Sequence, residues 1–148
     1  MNLPYNIFVP VNISSSDIPE YEISKLLMLI GQPARIRILL VIASAEACVC
    51  HMEAVTGMRQ ASISQHLMVL RRAGLVTHHR VGRNIFYRLV RPEVLEILAQ
   101  SALLAGIAPE QLKSLSIRQV PGCTCPQCAP DLDPKLYCKP QKLCARSD

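Results

Sequence analysis

The run Ala61-Ser62-Ile63-Ser64-Gln65-His66-Leu67-Met68-Val69-Leu70-Arg71-Arg72-Ala73-Gly74, followed by residues 75–89 (LVTHHRVGRNIFYRL), decides the fold. Ile63, Leu67 and Leu70 recur at helical spacing in one narrow stripe, so the spacing predicts a helix over 61–73 with that stripe against a core. The opposite face collects Ala61, Gln65, Met68, Val69 and Arg72, flanked by Ser62, Ser64, His66 and Arg71. Gly74 stops the helix. Two short strands follow, 75–80 and 85–89, with Val81-Gly82-Arg83-Asn84 as the tip and the alternation Ile85, Tyr87, Leu89 marking a half-buried strand.

Upstream, Thr56-Gly57 supplies a turn, and residues 48–55 read as a short helix. A helix opened by Pro33 carries the stripe Ile36, Leu39, Leu40 and Ala43. Before it, residues 18–30 form a first helix, with Asp17 as N-cap and Pro19 in the first turn. Downstream, Pro92 begins a last long helix to Gly106, rich in Val94, Leu95, Ile97, Leu98, Ala102 and Leu104. A further short helix is expected over 109–115. The fold class is therefore mainly α (α+β): a winged helix-turn-helix of five core helices plus a β-hairpin wing. Residues 1–17 read as a flexible arm, 18–106 as the winged helix-turn-helix domain, and 107–148 as a Cys- and Pro-rich tail.

Charge points the same way. The net charge is only +5, but no Asp or Glu lies between Ala54 and Pro92, where seven arginines fall. A basic, acid-free block suits a polyanion. The major groove admits one helix, and base edges are read by short polar side chains; Gln60, Ser62, Ser64 and Gln65 provide them. Arg59, His66, Arg71, Arg72, Arg80, Arg83 and Asn84 complete the candidate DNA surface, partly through phosphates. Double-stranded DNA is the expected partner. Nothing suggests an enzyme: there is no phosphate-cradling glycine loop and no carboxylate pair, and Cys125-Pro126-Gln127-Cys128 lacks the βαβ surroundings of a redox enzyme. No apolar run approaches a membrane span and no signal peptide is read, so a cytoplasmic protein without an organic cofactor is expected.

Ser62-Ile63-Ser64-Gln65-His66-Leu67, Leu70-Arg71, Ala73-Gly74-Leu75-Val76, Arg80-Val81-Gly82-Arg83 and Tyr87 resemble the signature of the ArsR/SmtB repressors, and residues 32–39 (QPARIRIL) are similar to that family's second helix. The resemblance covers about 18–107. It implies a homodimer, paired through its first and last helices, that binds a palindromic operator and leaves it when a metal or metalloid ion binds. The leucine-rich stripes at both ends agree, being more apolar surface than a small monomer needs. Family members that sense zinc, nickel or cobalt use His and acidic ligands on the last helix. Residues 92–106 hold no His and only Glu93 and Glu96, so that site is not expected.

The sensing chemistry falls on sulfur. Cys48-Val49-Cys50-His51 precedes the recognition helix, where the family's arsenic- and cadmium-type sensors carry a Cys-Val-Cys run. Residues two apart on a helix point about 200° from each other, so Cys48 and Cys50 cannot clasp one ion unless that turn distorts. Cys48 and His51, three apart, share a face. Further sulfurs lie in the tail: Cys123, Cys125, Cys128, Cys138 and Cys144. The tail either completes the Cys48/Cys50 site, forms its own zinc or iron–sulfur site, or is a scavenging or redox appendage. The expected inducer is arsenite, antimonite or a soft divalent ion such as cadmium, lead or zinc. The alternative is a thiol redox or iron–sulfur regulator on the same scaffold.

Overall fold

A computed structural model describes residues 18–82, 84–116 and 119–136. The chain divides into two compact units, residues 1–32 and residues 33–148. In the first, helix α1 runs Pro19–Ile30 with Glu20 and Glu22 in its first turn, where acidic side chains favour the positive end of the helix dipole. Its N-cap is Ile18 rather than Asp17. The residue before a proline is driven to extended backbone, and Ile18 sits at φ −103°, ψ 110°; Asp17 lies outside the described residues. Ile23, Leu27 and Met28 are 58%, 48% and 74% exposed, an uncovered apolar surface on this helix.

The second unit contains α2 (Pro33–Val41), β1 (Ala47–Cys48), α3 (Val49–Thr56), α4 (Gln60–Arg72), β2 (Val76–Val81), β3 (Asn84–Leu89), α5 (Glu93–Leu104) and α6 (Pro109–Ser116). Among the described residues, six helices with one small sheet are the winged-helix elements expected. The α4 stripe holds because it reports burial directly: Ile63, Leu67 and Leu70 are all buried. On α2 and just after it the buried side chains are instead the continuous run Ile38, Leu39, Leu40, Val41 and Ile42, while Ile36 and Ala43 of the expected stripe are half-buried, because several elements pack around this helix. Gly57, at φ 71°, closes α3 and donates its N–H to Glu53. That left-handed turn, open to glycine at no steric cost, lets α4 begin after only residues 57–59.

The sheet is antiparallel in the order β1-β3-β2. The wing hairpin pairs Val76 with Leu89 through Val81 with Asn84. The third strand, β1, was not expected. It pairs Ala47 with Tyr87 and Cys48 with Phe86, and it moves the start of α3 from Cys48 to Val49.

Residues 119–136 have little regular structure, yet they are fastened to the unit. Gln127 donates to the Val41 carbonyl (2.7 Å) and to Ser44 Oγ (3.0 Å), and Ser44 Oγ donates to the Ser116 carbonyl at the end of α6 (3.1 Å). Cys125 is fully buried.

Candidate DNA-reading face and metal centre

Helices α3 and α4, joined by the Gly57 turn, form a helix-turn-helix, and β2 and β3 form its wing. With one face of α4 sealed in the core, Ala61, Ser64, Gln65, Met68, Arg71 and Arg72 are exposed on the other, and Ser62 is half-buried. Arg59, at the N-cap of α4, and Arg80, on the wing, are exposed too. Gln60 is also exposed, but its side-chain amide donates to Glu53 Oε2 (2.8 Å), tying the start of α4 to α3. His66 is half-buried; burial and the nearby Arg35 charge lower its pKa, so it is neutral at pH 7. Asn84 opens β3 and is half-buried, while Arg83 lies outside the described residues.

The second centre joins the start of α3 to the tail. Cys48, in extended backbone at φ −85° and ψ 164°, is the N-cap of α3, and its Sγ accepts the His51 backbone N–H at 3.4 Å. The helical geometry expected for Cys48 and Cys50 therefore does not apply, because strand pairing with Phe86 holds Cys48 outside the helix. Cys48, Phe86 and Cys125 form one buried cluster, against which Cys50, Val81, Cys123 and Cys128 pack. His51, on the first turn of α3, is 1% exposed. Its Nδ1 lies 3.2 Å from Cys128 Sγ and 3.6 Å from Cys125 Sγ. The ligand atoms of His51, Cys123, Cys125 and Cys128 all lie within 4.8 Å of one another.

The tail loop is shaped to deliver these thiols. Cys128 Sγ accepts the Val120 N–H (3.4 Å), the Cys128 N–H donates to the Cys125 carbonyl (3.0 Å), and Gln127 anchors the turn between them to α2. Proton affinities respond to the crowding. Burial alone would lower the His51 pKa, but hydrogen bonds with Cys123 and Cys125 outweigh it and raise it to about 9. Burial pushes the Cys128 thiol up to about 12, against the opposing Val120 N–H. The hydrogen bond with Cys123 resists ionisation of Cys125, yet those with Cys48 and His51 prevail and hold its pKa below the ordinary thiol value.

Of the sequence candidates, Cys48, Cys50, His51, Cys123, Cys125 and Cys128 thus converge, the last four as one donor set; Cys138 and Cys144 lie outside the described residues. Gln127 and Phe86, which seat the loop, were not singled out from sequence. Neither residue type at those positions signals a partner that distant. No helix among the described residues is long and apolar enough to cross a membrane.

A helix-turn-helix with a basic recognition face and a hairpin wing defines a DNA-binding protein of the winged-helix class. Residues 32–78 match the family described as bacterial regulatory protein, arsR family. The chain is similar to a biofilm growth-associated repressor of Agrobacterium fabrum, 32% identical over 69% of this chain and 91% of that protein. A transcriptional repressor SmtB homolog of Synechocystis sp. is 33% identical over 49% of this chain, which spans 55% of that relative's length. Among solved structures, the AntR antimony-specific transcriptional repressor superposes with a TM-score of 0.55 at 28% identity, over 72% of this chain and 95% of that one. The chain belongs to the ArsR/SmtB family of DNA-binding transcriptional regulators.

Proposed function

We propose that this chain is a homodimeric operator-binding repressor that releases DNA when a thiophilic ion (arsenite, antimonite or a soft divalent cation) is bound by its cysteines. One observation carries the reading: three thiols and an imidazole, two of the four buried and two half-buried, have their ligand atoms within 4.8 Å of one another directly beside the helix-turn-helix. Thiolates select soft and borderline ions, so the donor chemistry fits. Cys123, Cys125, Cys128 and His51 would hold the ion, with Cys48 and Cys50 as adjoining sulfurs. The apolar side chains left exposed on α1, together with Leu103 and Leu104 on α5 at 54% and 92% exposure, support burial in a dimer.

Coupling to DNA follows from what His51 is attached to. It sits on α3, α3 packs on α4, and Gln60 ties the start of α4 to Glu53. Drawing His51 toward the tail loop tilts α3 and with it the recognition helix, so the paired helices of a dimer lose the operator spacing on which binding depends.

The test is fluorescence anisotropy of the reduced full chain on a duplex enriched from a random pool by the ion-free protein. Arsenite, antimonite, cadmium, lead, zinc and peroxide are titrated separately. Release by one of the ions is expected. Release by peroxide alone, reversed by reductant, would replace this reading with a redox sensor.

A further inference from the structure

We infer that the cluster is a closed tetrahedral site for a divalent ion of the zinc group, and that His51 is the residue that selects such an ion over a metalloid. The inference rests on the reading of the cluster as an ion site and names which class of ion it takes.

The argument is one of donor number and spacing. Zinc bonds of about 2.3 Å to sulfur and about 2.0–2.1 Å to nitrogen, set at the tetrahedral angle, place a thiolate and an imidazole nitrogen about 3.6 Å apart. His51 Nδ1 stands 3.6 Å from Cys125 Sγ and 3.2 Å from Cys128 Sγ. With Cys123 the set reaches four donors, all within 4.8 Å of one another. Three sulfurs and one nitrogen match the four-ligand set of closed zinc sites. Arsenic(III) behaves differently. It takes three sulfurs, and its lone pair fills the remaining direction, so an imidazole there adds nothing to its binding.

Burial sharpens the distinction. His51 is 1% exposed and Cys125 is 0% exposed, with Cys123 and Cys128 half-buried, so the imidazole and one thiol are already sealed from water that would otherwise take the place of a fourth ligand. The histidine is also brought to the cluster without any ion. It lies on the first turn of α3, its backbone N–H held by the Cys48 thiol. Cys48 is occupied as the cap of α3 and Cys50 packs at the periphery, so neither is needed to complete the tetrahedron.

Metal-free, fully reduced chain is titrated with cobalt(II), whose visible spectrum separates tetrahedral from six-coordinate sites, and then with zinc(II) against a chromophoric chelator. The wild type is expected to bind one cobalt per chain with intense tetrahedral bands and thiolate-to-cobalt charge transfer. His51→Ala should weaken zinc about 100-fold or more, since altering even a residue behind a ligand costs 10–100-fold, while arsenite binding stays unchanged. His51→Cys, which restores a fourth donor, should recover tetrahedral cobalt, and circular dichroism reports whether each variant is folded. If folded His51→Ala binds zinc as tightly as wild type, or if wild-type cobalt is six-coordinate, the inference is overturned while release of DNA by arsenite would still stand. If neither cobalt, zinc nor arsenite binds the wild type, the ion-site reading itself falls, and this inference with it.

Discussion

Replacing Phe86 by Ala tests whether the wing, the start of α3 and the tail share one core. Phe86 is fully buried and has the largest volume of the fully buried side chains among the described residues. It lies on β3, opposite Cys48 of β1 and His79 of β2. The His79 ring centroid is 5.8 Å away, and Cys125 of the tail belongs to the same cluster. Truncating a buried Phe to Ala costs about 3–5 kcal/mol, and with three segments converging there the cavity has little freedom to collapse. A cost of about 4 kcal/mol lowers the melting temperature of a unit this size by roughly 15 °C. Phe86→Leu, which keeps most of the volume, should cost less than about 1.5 kcal/mol. Urea unfolding of both variants measures these values. Loosening the seat also frees the tail, so attack on the Cys125 thiol by an aromatic disulfide should speed up by about 100-fold. A cost below about 1 kcal/mol, or unchanged Cys125 reactivity, would refute the claim that these segments share a core.

Other consequences follow from particular contacts. Divalent ion binding should release at least two protons per ion between pH 6 and 8, because His51 (pKa about 9) and Cys128 (about 12) are both protonated there and must lose a proton to become ligands; affinity then rises about 100-fold per pH unit, as calorimetry in buffers of differing ionisation enthalpy would show. Gln127→Ala removes the bonds to Val41 and Ser44 and should destabilise the docked tail by about 1–3 kcal/mol, read as faster amide exchange across 119–128 with α4 unaffected. Arg72→Ala removes an exposed cation from the end of the recognition helix and should reduce the salt dependence of DNA binding by about one unit of slope without changing ion affinity.

Local signals carried most of the fold. The α4 stripe, the turn glycines and the hairpin alternation are written within a few residues of each other, and each records a backbone or burial requirement that acts at that range. Strand β1 is two residues long, too short to show an alternation, and it exists because β3 offers it a partner. That strand changed the reading of Cys48. A cysteine is not a recognised helix cap, so nothing in the sequence placed it outside α3. The tail's cysteine spacing offers a soft-ion ligand set as one reading beside a redox or scavenging role, but does not say where the thiols sit. Its fastenings run from Gln127 to Val41 and from Cys128 to His51, 86 and 77 residues apart in the chain, and such pairings follow from tertiary packing alone. Helical spacing alone therefore groups His51 with Cys48, whereas its ring lies against the tail thiols.

The most direct test of the account is cadmium-driven release of DNA by a chain in which Cys123, Cys125 and Cys128 are all Ser. Anisotropy on the selected duplex should show the variant binding DNA as tightly as wild type and staying bound at cadmium concentrations that strip the wild type. Release of the variant at the same concentration as the wild type would contradict the claim that the tail thiols and His51 are the sensor.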